Sequence, residues 1–205
     1  MQHSLNLQEW FGGIDIYLFD QLLKGRFAPG MRILDAGCGS GRNLVYFLRS
    51  GYEVCAVDES SQAIGRTRQL AGDLASQLAP DNFREEPVER MSFPVANFDL
   101  VISSAVLHFA NDERQWEAMV KEMWRVLKPG GIFFARLASH IGIEDKVQLI
   151  EGRRYHLPDG SERFLVDEQM LLRVTEELGG EFLEPIKTTI VQNLRAMTTW
   201  CLRKT

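Results

Sequence analysis

The segment Ile33 to Asn43, ILDAGCGSGRN, restricts the folding choices of this chain more than any other. An apolar run ends in an acid, Asp35, and glycines then fall at every second position, Gly37, Gly39 and Gly41. Glycine lacks a Cβ, so such a run lets the backbone leave a strand sharply and come close to a ligand. A helix is expected from about Gly41 to Arg49, and its amino end would offer unpaired N–H groups and a positive dipole end to an anion. A dinucleotide fingerprint, G-x-G-x-x-G, needs its third glycine at position 42. Arg42 stands there instead, and its bulk argues against a diphosphate seated on this turn.

Around the glycine turn the chain alternates strands and helices. Residues 14–24 read as a helix with apolar residues on most faces, covered by the domain or by a ligand. A strand over 31–35 leads into the turn, and YEVCAVD, 52–58, is apolar and β-branched enough to be buried on both faces. Ser60 or Ser61 caps a helix whose Ile64, Thr67, Ala71, Leu74 and Leu78 follow helical spacing. A short strand near 82–86 and a strong one at 98–104, FDLVISS, come next. Asn111 is expected to cap the clearest amphipathic helix, with Trp116, Met119, Val120, Met123, Trp124 and Leu127 on one stripe. KPGG ends it, and GIFFARLA is another strand. This order implies parallel pairing with helices on both sheet faces.

The tail reads differently. RYHLPDGSERFL carries an Asp-Gly turn suited to a hairpin or tight loop. Residues 167–178 read as a helix ended by Gly179-Gly180. Two β-rich runs follow, separated by too few residues for a parallel crossover, so the last two strands are expected to be antiparallel. The expected fold class is therefore a single-domain three-layer α/β/α sandwich with a seven-stranded, mostly parallel sheet and an antiparallel last pair. Its parts are an N-terminal helical cap (1–30), a core (31–137), an acceptor-side insertion (138–166), and a C-terminal helix with the antiparallel pair (167–205).

Composition narrows the function classes. A chain of 205 residues with 45% hydrophobic and 25% charged residues can bury a full core. A net charge of −5 gives no general basic surface for phosphate backbones, so no nucleic-acid partner is expected. Cys38, Cys55 and Cys201 show no paired spacing and read as reduced thiols. No apolar run approaches membrane-spanning length, and Glu9, Asp15 and Asp20 interrupt any secretory leader. The expectation is a cytoplasmic protein without a metal or membrane partner. The sequence leaves oligomeric state open.

Asp58 closes the second strand, where a carboxylate can accept hydrogen bonds from both hydroxyls of a ribose, each worth roughly 1.5–3 kcal/mol before desolvation. With this acid in place, the chain resembles class I S-adenosyl-L-methionine-dependent methyltransferases. LDAGCGSGRN looks like their first motif and Asp58 like the acid of the second. FPVANFDLVISSAVLHF is similar to the segment entering their fourth strand, and WRVLKPGGIFFA to the helix–turn–fifth strand element. These cover about residues 31–137 in the family's order. The resemblance implies a cofactor, S-adenosyl-L-methionine, that leaves as S-adenosyl-L-homocysteine. It places Asp35, Gly37, Cys38 and Gly39 against the methionyl group, Gly41 where the following helix starts close to it, and Asp58 with Glu59 at the ribose. Ser103 would lie near it at the fourth strand. The adenine position falls on Pro87-Val88; the family's acid is missing there, although Glu86 lies just before.

Methyl transfer from a sulfonium requires alignment and exclusion of water, and a base only where the acceptor must lose a proton. His108, after the fourth strand, is the candidate base; a packing histidine is the plainer alternative. Acceptor contacts are expected from Trp10, Phe11 and Tyr17 of the N-terminal segment, from Arg136, and from the 138–164 stretch with His140, Arg153, Arg154, Tyr155 and His156. Arginines there would suit an anionic acceptor; packing and solvated surface charge are the alternatives. The first expectation is methyl transfer to a small molecule. A non-catalytic cofactor-binding sensor or scaffold stays open, because the motifs report binding and not turnover. A nicotinamide-linked oxidoreductase is disfavoured by Arg42 and by the lack of a substrate domain.

Overall fold

The computed structural model describes residues 6–205; residues 1–5 of the expected N-terminal cap lie outside the described residues. Two helices open the chain, α1 (Leu7–Phe11), capped by Asn6, and α2 (Ile16–Leu23), capped by Asp15. The central elements are β1 (Arg32–Ala36), α3 (Val45–Arg49), β2 (Glu53–Asp58), α4 (Ser61–Leu74), β3 (Phe83–Glu85), β4 (Phe98–Ser104), α5 (Glu113–Val126) and β5 (Leu127–Ser139). Beyond them lie β6 (Gln148–Glu151), β7 (Arg154–His156), β8 (Glu162–Phe164), α6 (Glu168–Glu177), β9 (Gly180–Phe182), β10 (Lys187–Val191) and β11 (Arg195–Lys204).

The main sheet runs β10-β11-β5-β4-β1-β2-β3, with β9 added on β11. β1 pairs in parallel with both β2 and β4, β2 with β3, and β4 with β5. β11 is antiparallel to β5 and to β10, as the short link between the last two strands requires. The strand order reverses beside β1, so the carboxyl ends of β1, β2 and β4 open onto a crevice at that reversal.

Two apolar clusters cover the two faces of the sheet. On one, α5 and α6 bury Trp116, Met123, Met170 and Leu171 against Phe133 and Trp200. The Trp116 ring stacks on Trp200 with centroids 6.1 Å apart, and the Trp200 indole N–H donates to Thr175 Oγ1 at 2.9 Å. On the other face, α2, α3 and α4 bury Leu18, Phe47 and Ile64 against Leu100, Ile102 and Phe134. A third, small cluster of Ala138, Leu157 and Leu165 fixes the outlying strands to the end of β5.

The structure departs from the sequence reading at four places. The helix after the glycine turn begins only at Val45, so turns occupy Gly41 to Leu44 and no long helix dipole points at the cleft. Asp112, not Asn111, caps α5, accepting from the Gln115 N–H at 2.7 Å. KPGG does not separate helix from strand; it lies within β5, where pairing with β4 shifts register between Phe98 and Leu100. Finally, the Asp-Gly turn joins β7 and β8 in the hairpin that the sequence offered, but an unforeseen strand, β6, extends it to a three-stranded antiparallel sheet.

Candidate functional site

The glycine turn is pinned to its neighbour strand: the Gly37 and Cys38 N–H groups both donate to the Val57 carbonyl, at 2.9 and 3.0 Å. Gly37 has φ 81°, and a Cβ there would stand 2.5 Å from the Val106 side chain. Gly39, at φ 54°, differs, because a Cβ there would meet nothing within 4 Å. The space above Gly39 belongs to a cleft of about 640 Å³ that opens at the ends of β1, β2 and β4. Its floor includes Gly37, Gly39, Asp58 and Glu59, and its side wall includes Pro87, Val88 and Glu89. Val106, Phe109, Asn111, Gln115 and Met119 close the opposite side. Gln115 ties the two walls by donating to Glu89 Oε1 at 3.0 Å.

Asp58 sits at the strand tip as expected, with each carboxylate oxygen accepting one backbone amide: Oδ2 from Gly39 at 2.8 Å and Oδ1 from Ser60 at 3.0 Å. Each oxygen keeps a lone pair for a further donor. Asp35 lies beneath the turn, 1% exposed, and its Oδ2 has no hydrogen-bond partner. Burial pushes its carboxyl up to about 7, against the pull of Arg42. A buried acid with an orphaned oxygen under an open glycine turn suits a cationic ammonium close by. The residues present therefore fit a ligand with a ribose and an ammonium group.

Besides Asp35 beneath the turn, three of the expected cofactor residues stand apart from the cleft wall. Cys38 is 5% exposed and its Sγ lies 3.6 Å from Thr67 Oγ1, with burial raising the thiol pKa. Gly41 faces α4, where a Cβ would meet Leu70 at 3.0 Å and Thr67 at 3.3 Å, so its lack of a side chain serves helix packing. Ser103 is fully buried with an unpartnered hydroxyl. Its neighbour Ser104 instead accepts from Arg42 at 3.1 Å and donates to Asp15 Oδ2 at 3.3 Å.

A second pocket of about 240 Å³ adjoins the first, and Ala105 lines both. Arg136, Arg163 and Arg195, together with His108, Asp159 and Ser161, supply its polar wall, and Ala138, Leu157 and Met197 supply much of its apolar wall. Ala105 is held at φ 64°, an uncommon conformation for a residue with a Cβ, by a 2.7 Å bond from its N–H to the Arg136 carbonyl.

His108 faces this smaller pocket, with one ring nitrogen already engaged. The ring is 7% exposed, and Nδ1 accepts from the Ala138 N–H at 3.2 Å. Burial, helped by Arg163, holds its pKa down to about 4. Neutral imidazole has one lone pair, which is spent on Ala138, so Nε2 carries the proton and acts as a donor. The base role expected from sequence would require that lone pair to be released from Ala138.

The acceptor-side expectations are also redistributed. Arg136 lines the pocket and bonds the fully buried Asp15 carboxylate at 2.9 Å, with its guanidinium over the Tyr17 ring. Tyr17 itself lines neither cavity and bonds Thr189 through its hydroxyl. Phe11 packs on Tyr46 and Phe19, and Trp10 is part-exposed, so neither closes over the site. Arg153 is engaged with Asp167 at 2.8 Å, and Tyr155 packs beside His140. Neither faces a cavity. Besides Arg136 and His108, Arg163 and Arg195 face the pocket, and the sequence did not single them out: one lies in a hairpin strand and the other starts β11. Asp15 was visible only as a charge in a helical cap. Among the described residues no group of three or more His, Cys, Asp or Glu side chains is arranged to hold a metal ion. No helix there is long and apolar enough to cross a membrane.

Residues 34–135 match the family described as Methyltransferase domain. The malonyl-[acyl-carrier protein] O-methyltransferase of Enterobacter lignolyticus is 34% identical over 123 residues, 60% of this chain and 44% of that protein. The tRNA 5-carboxymethoxyuridine methyltransferase of Escherichia coli K12 is 29% identical over 119 residues, 55% of this chain and 42% of that one. The chain thus spans less than half the length of these relatives. Among solved structures, a Burkholderia thailandensis 1,6-didemethyltoxoflavin-N1-methyltransferase, which holds its namesake compound and S-adenosylhomocysteine, superposes with TM-score 0.70. It is 19% identical, with 95% of this chain and 79% of that chain covered, a likeness of fold. With the motif order, the strand order and the open glycine turn in agreement with the family match, the chain belongs to the class I S-adenosyl-L-methionine-dependent methyltransferases.

Proposed function

We propose that this protein is a catalytically active methyltransferase that takes S-adenosyl-L-methionine in the larger cleft and a small-molecule acceptor in the smaller pocket. The observation that carries this reading is the shared wall at Ala105, where a strained residue divides two cavities of unlike chemistry. When bound, the cofactor supplies a methyl group on a cationic sulfonium. Asp58 accepts from the ribose hydroxyls, and the orphaned Asp35 oxygen under the turn favours the ammonium end. Pro87 and Val88 bound the adenine space, with Gln115 and Glu89 closing it. Val106 and Met119 present apolar surface that limits water at the site.

On the acceptor side, His108 donates from Nε2 and the arginines orient the entering group. Alignment of that group along the line past Ala105 is the chain's main catalytic task. A second reading, in which the acceptor is borne on a macromolecular carrier, is favoured by the two relatives named for acyl carrier protein and tRNA substrates. The net charge of −5 counts against an RNA carrier.

Calorimetry with S-adenosyl-L-methionine tests the cofactor reading, and transfer of a tritiated methyl group to small-molecule, acyl-carrier and tRNA acceptors tests the rest. Tight binding with no transfer to any of them would leave a sensor or scaffold; no binding would sink the proposal.

A further inference from the structure

Resting on the acceptor-pocket reading above, we infer that the group methylated is a carboxylate, held by Arg163, Arg195 and the Nε2–H of His108, and that the product is a methyl ester. Four features of the pocket carry this.

The first is charge. Arg136, Arg163 and Arg195 line the pocket against one carboxylate, Asp159. Asp15 lies behind Arg136, at 2.9 Å from its guanidinium. Three cations against two anions leave a surplus positive charge, which a monoanion would neutralise. Among the described residues neither Arg163 nor Arg195 forms an ion pair; Arg163 donates to the Glu162 carbonyl and lies over the Phe109 ring.

The second is a preset donor. His108 is 7% exposed, and its Nδ1 is fixed by the Ala138 N–H, so the Nε2 hydrogen has one direction to point and no partner among the described residues. That hydrogen is open to the pocket, where a ligand can take it. The Arg136 Nε, by contrast, is buried without a partner, and a buried donor left unmatched is costly. Planar guanidinium groups and a fixed N–H together suit the flat, two-oxygen outline of a carboxylate.

The third is the lack of a base. A hydroxyl or ammonium acceptor must shed a proton, and the His108 lone pair is already engaged. Asp159 accepts both the N–H and the hydroxyl of Ser161, which holds its carboxyl below the usual range and makes it a poor proton acceptor. A carboxylate is already ionised at neutral pH and needs no base.

The fourth is balance. One carboxylate oxygen forms the new O–CH₃ bond as the S–CH₃ bond breaks, and the electron pair stays on sulfur. The anion and the sulfonium both lose their charge, and no proton, oxidant or reductant enters.

The test has two arms. Succinate and benzoate are titrated into the protein without cofactor while the His108 ring resonance is followed. We expect a saturable shift, weakened about tenfold or more in Arg163→Gln and in Arg195→Gln, and partly restored in Arg163→Lys. In the second arm, matched carboxylic acids, alcohols and amines are offered with tritiated S-adenosyl-L-methionine, and label released as volatile methanol by mild base is counted. A saturable, arginine-dependent shift, with base-labile label wherever transfer occurs, upholds the assignment. No saturable shift, or base-stable label on any acceptor, overturns it while leaving the methyltransferase reading intact. Calorimetry on the same preparations separates the two: loss of cofactor binding would strike the earlier reading, not this one.

Discussion

The larger cleft and the smaller pocket meet at one residue yet are built in opposite ways. The cleft is shaped mainly by backbone: a glycine turn pinned to Val57, one strand-end carboxylate, and a short loop at Pro87-Val88. The pocket is shaped by long side chains brought from β5, the β7–β8 hairpin and the start of β11. Backbone sites depend on a few adjacent positions and tolerate little bulk. Side-chain sites depend on ion pairs and burial, so they can be retuned one residue at a time. The comparison suggests a cofactor cleft fixed by geometry beside an acceptor pocket fixed by charge.

The largest expected effect comes from the ion pair behind the smaller pocket. Asp15 is buried and bonded to Arg136 at 2.9 Å, with Arg42 at 3.8 Å. Asp15→Ala leaves a partly buried guanidinium unmatched and should cost about 3–5 kcal/mol in chemical denaturation. Cofactor affinity measured under folding conditions should hardly move; a large loss would mean that the two cavities are not independent.

Next comes an acid-side effect at His108. Its pKa is lowered by burial from 6.5 to about 4, so the unfolded chain binds the proton more readily between those values. Stability from this group is full above pH 6.5 and is lost as pH falls toward 4, by about 3 kcal/mol. His108→Gln should remove that share of the acid loss while keeping an acceptor for the Ala138 N–H. Identical acid limbs in the two proteins would show that the ring is not buried as a neutral donor.

Bulk in the cleft should matter somewhat less in energy and more in function. Gly39→Leu places a side chain in open cleft space at φ 54°, and cofactor affinity should fall about a hundredfold, or about 2.7 kcal/mol. Undiminished uptake by calorimetry would contradict the close-approach argument. Smallest is Asp58→Ala, where lost ribose bonds should weaken cofactor binding about tenfold. Its Gly39 and Ser60 amides also lose their acceptor, so a melting scan is needed to separate turn disorder from direct contact.

Legibility in the sequence follows the same division. FDLVISS matches β4 from Phe98 to Ser104, because a strand buried on both faces is a continuous apolar run. The α5 stripe from Trp116 to Trp124 is buried as its spacing requires. The antiparallel β10–β11 pair follows from a short link. Elsewhere tertiary contacts that no local preference shows set the surroundings of the candidate residues. His108 sits at the carboxyl end of the sheet, as expected, but the Ala138 amide occupies the lone pair a base would need. Arg153 and Tyr155 lie in the right segment, yet one binds Asp167 and the other packs on His140. Ser103 and Ser104 are adjacent in the chain, and only the alternation of β4 decides which one meets Arg42 and Asp15.

The sequence by itself determined the alternating strand–helix order, the glycine turn and the acid at the second strand tip. Those features rest on periodicity, on missing Cβ atoms and on neighbours close in the chain. Only the tertiary structure decided which arginines share a pocket, which nitrogen of His108 holds its proton, and where Asp15 lies. Burial and pairing between residues about thirty to 120 positions apart, as with His108 and Ala138 or Asp15 and Arg136, set those outcomes. No local pattern in the chain encodes them.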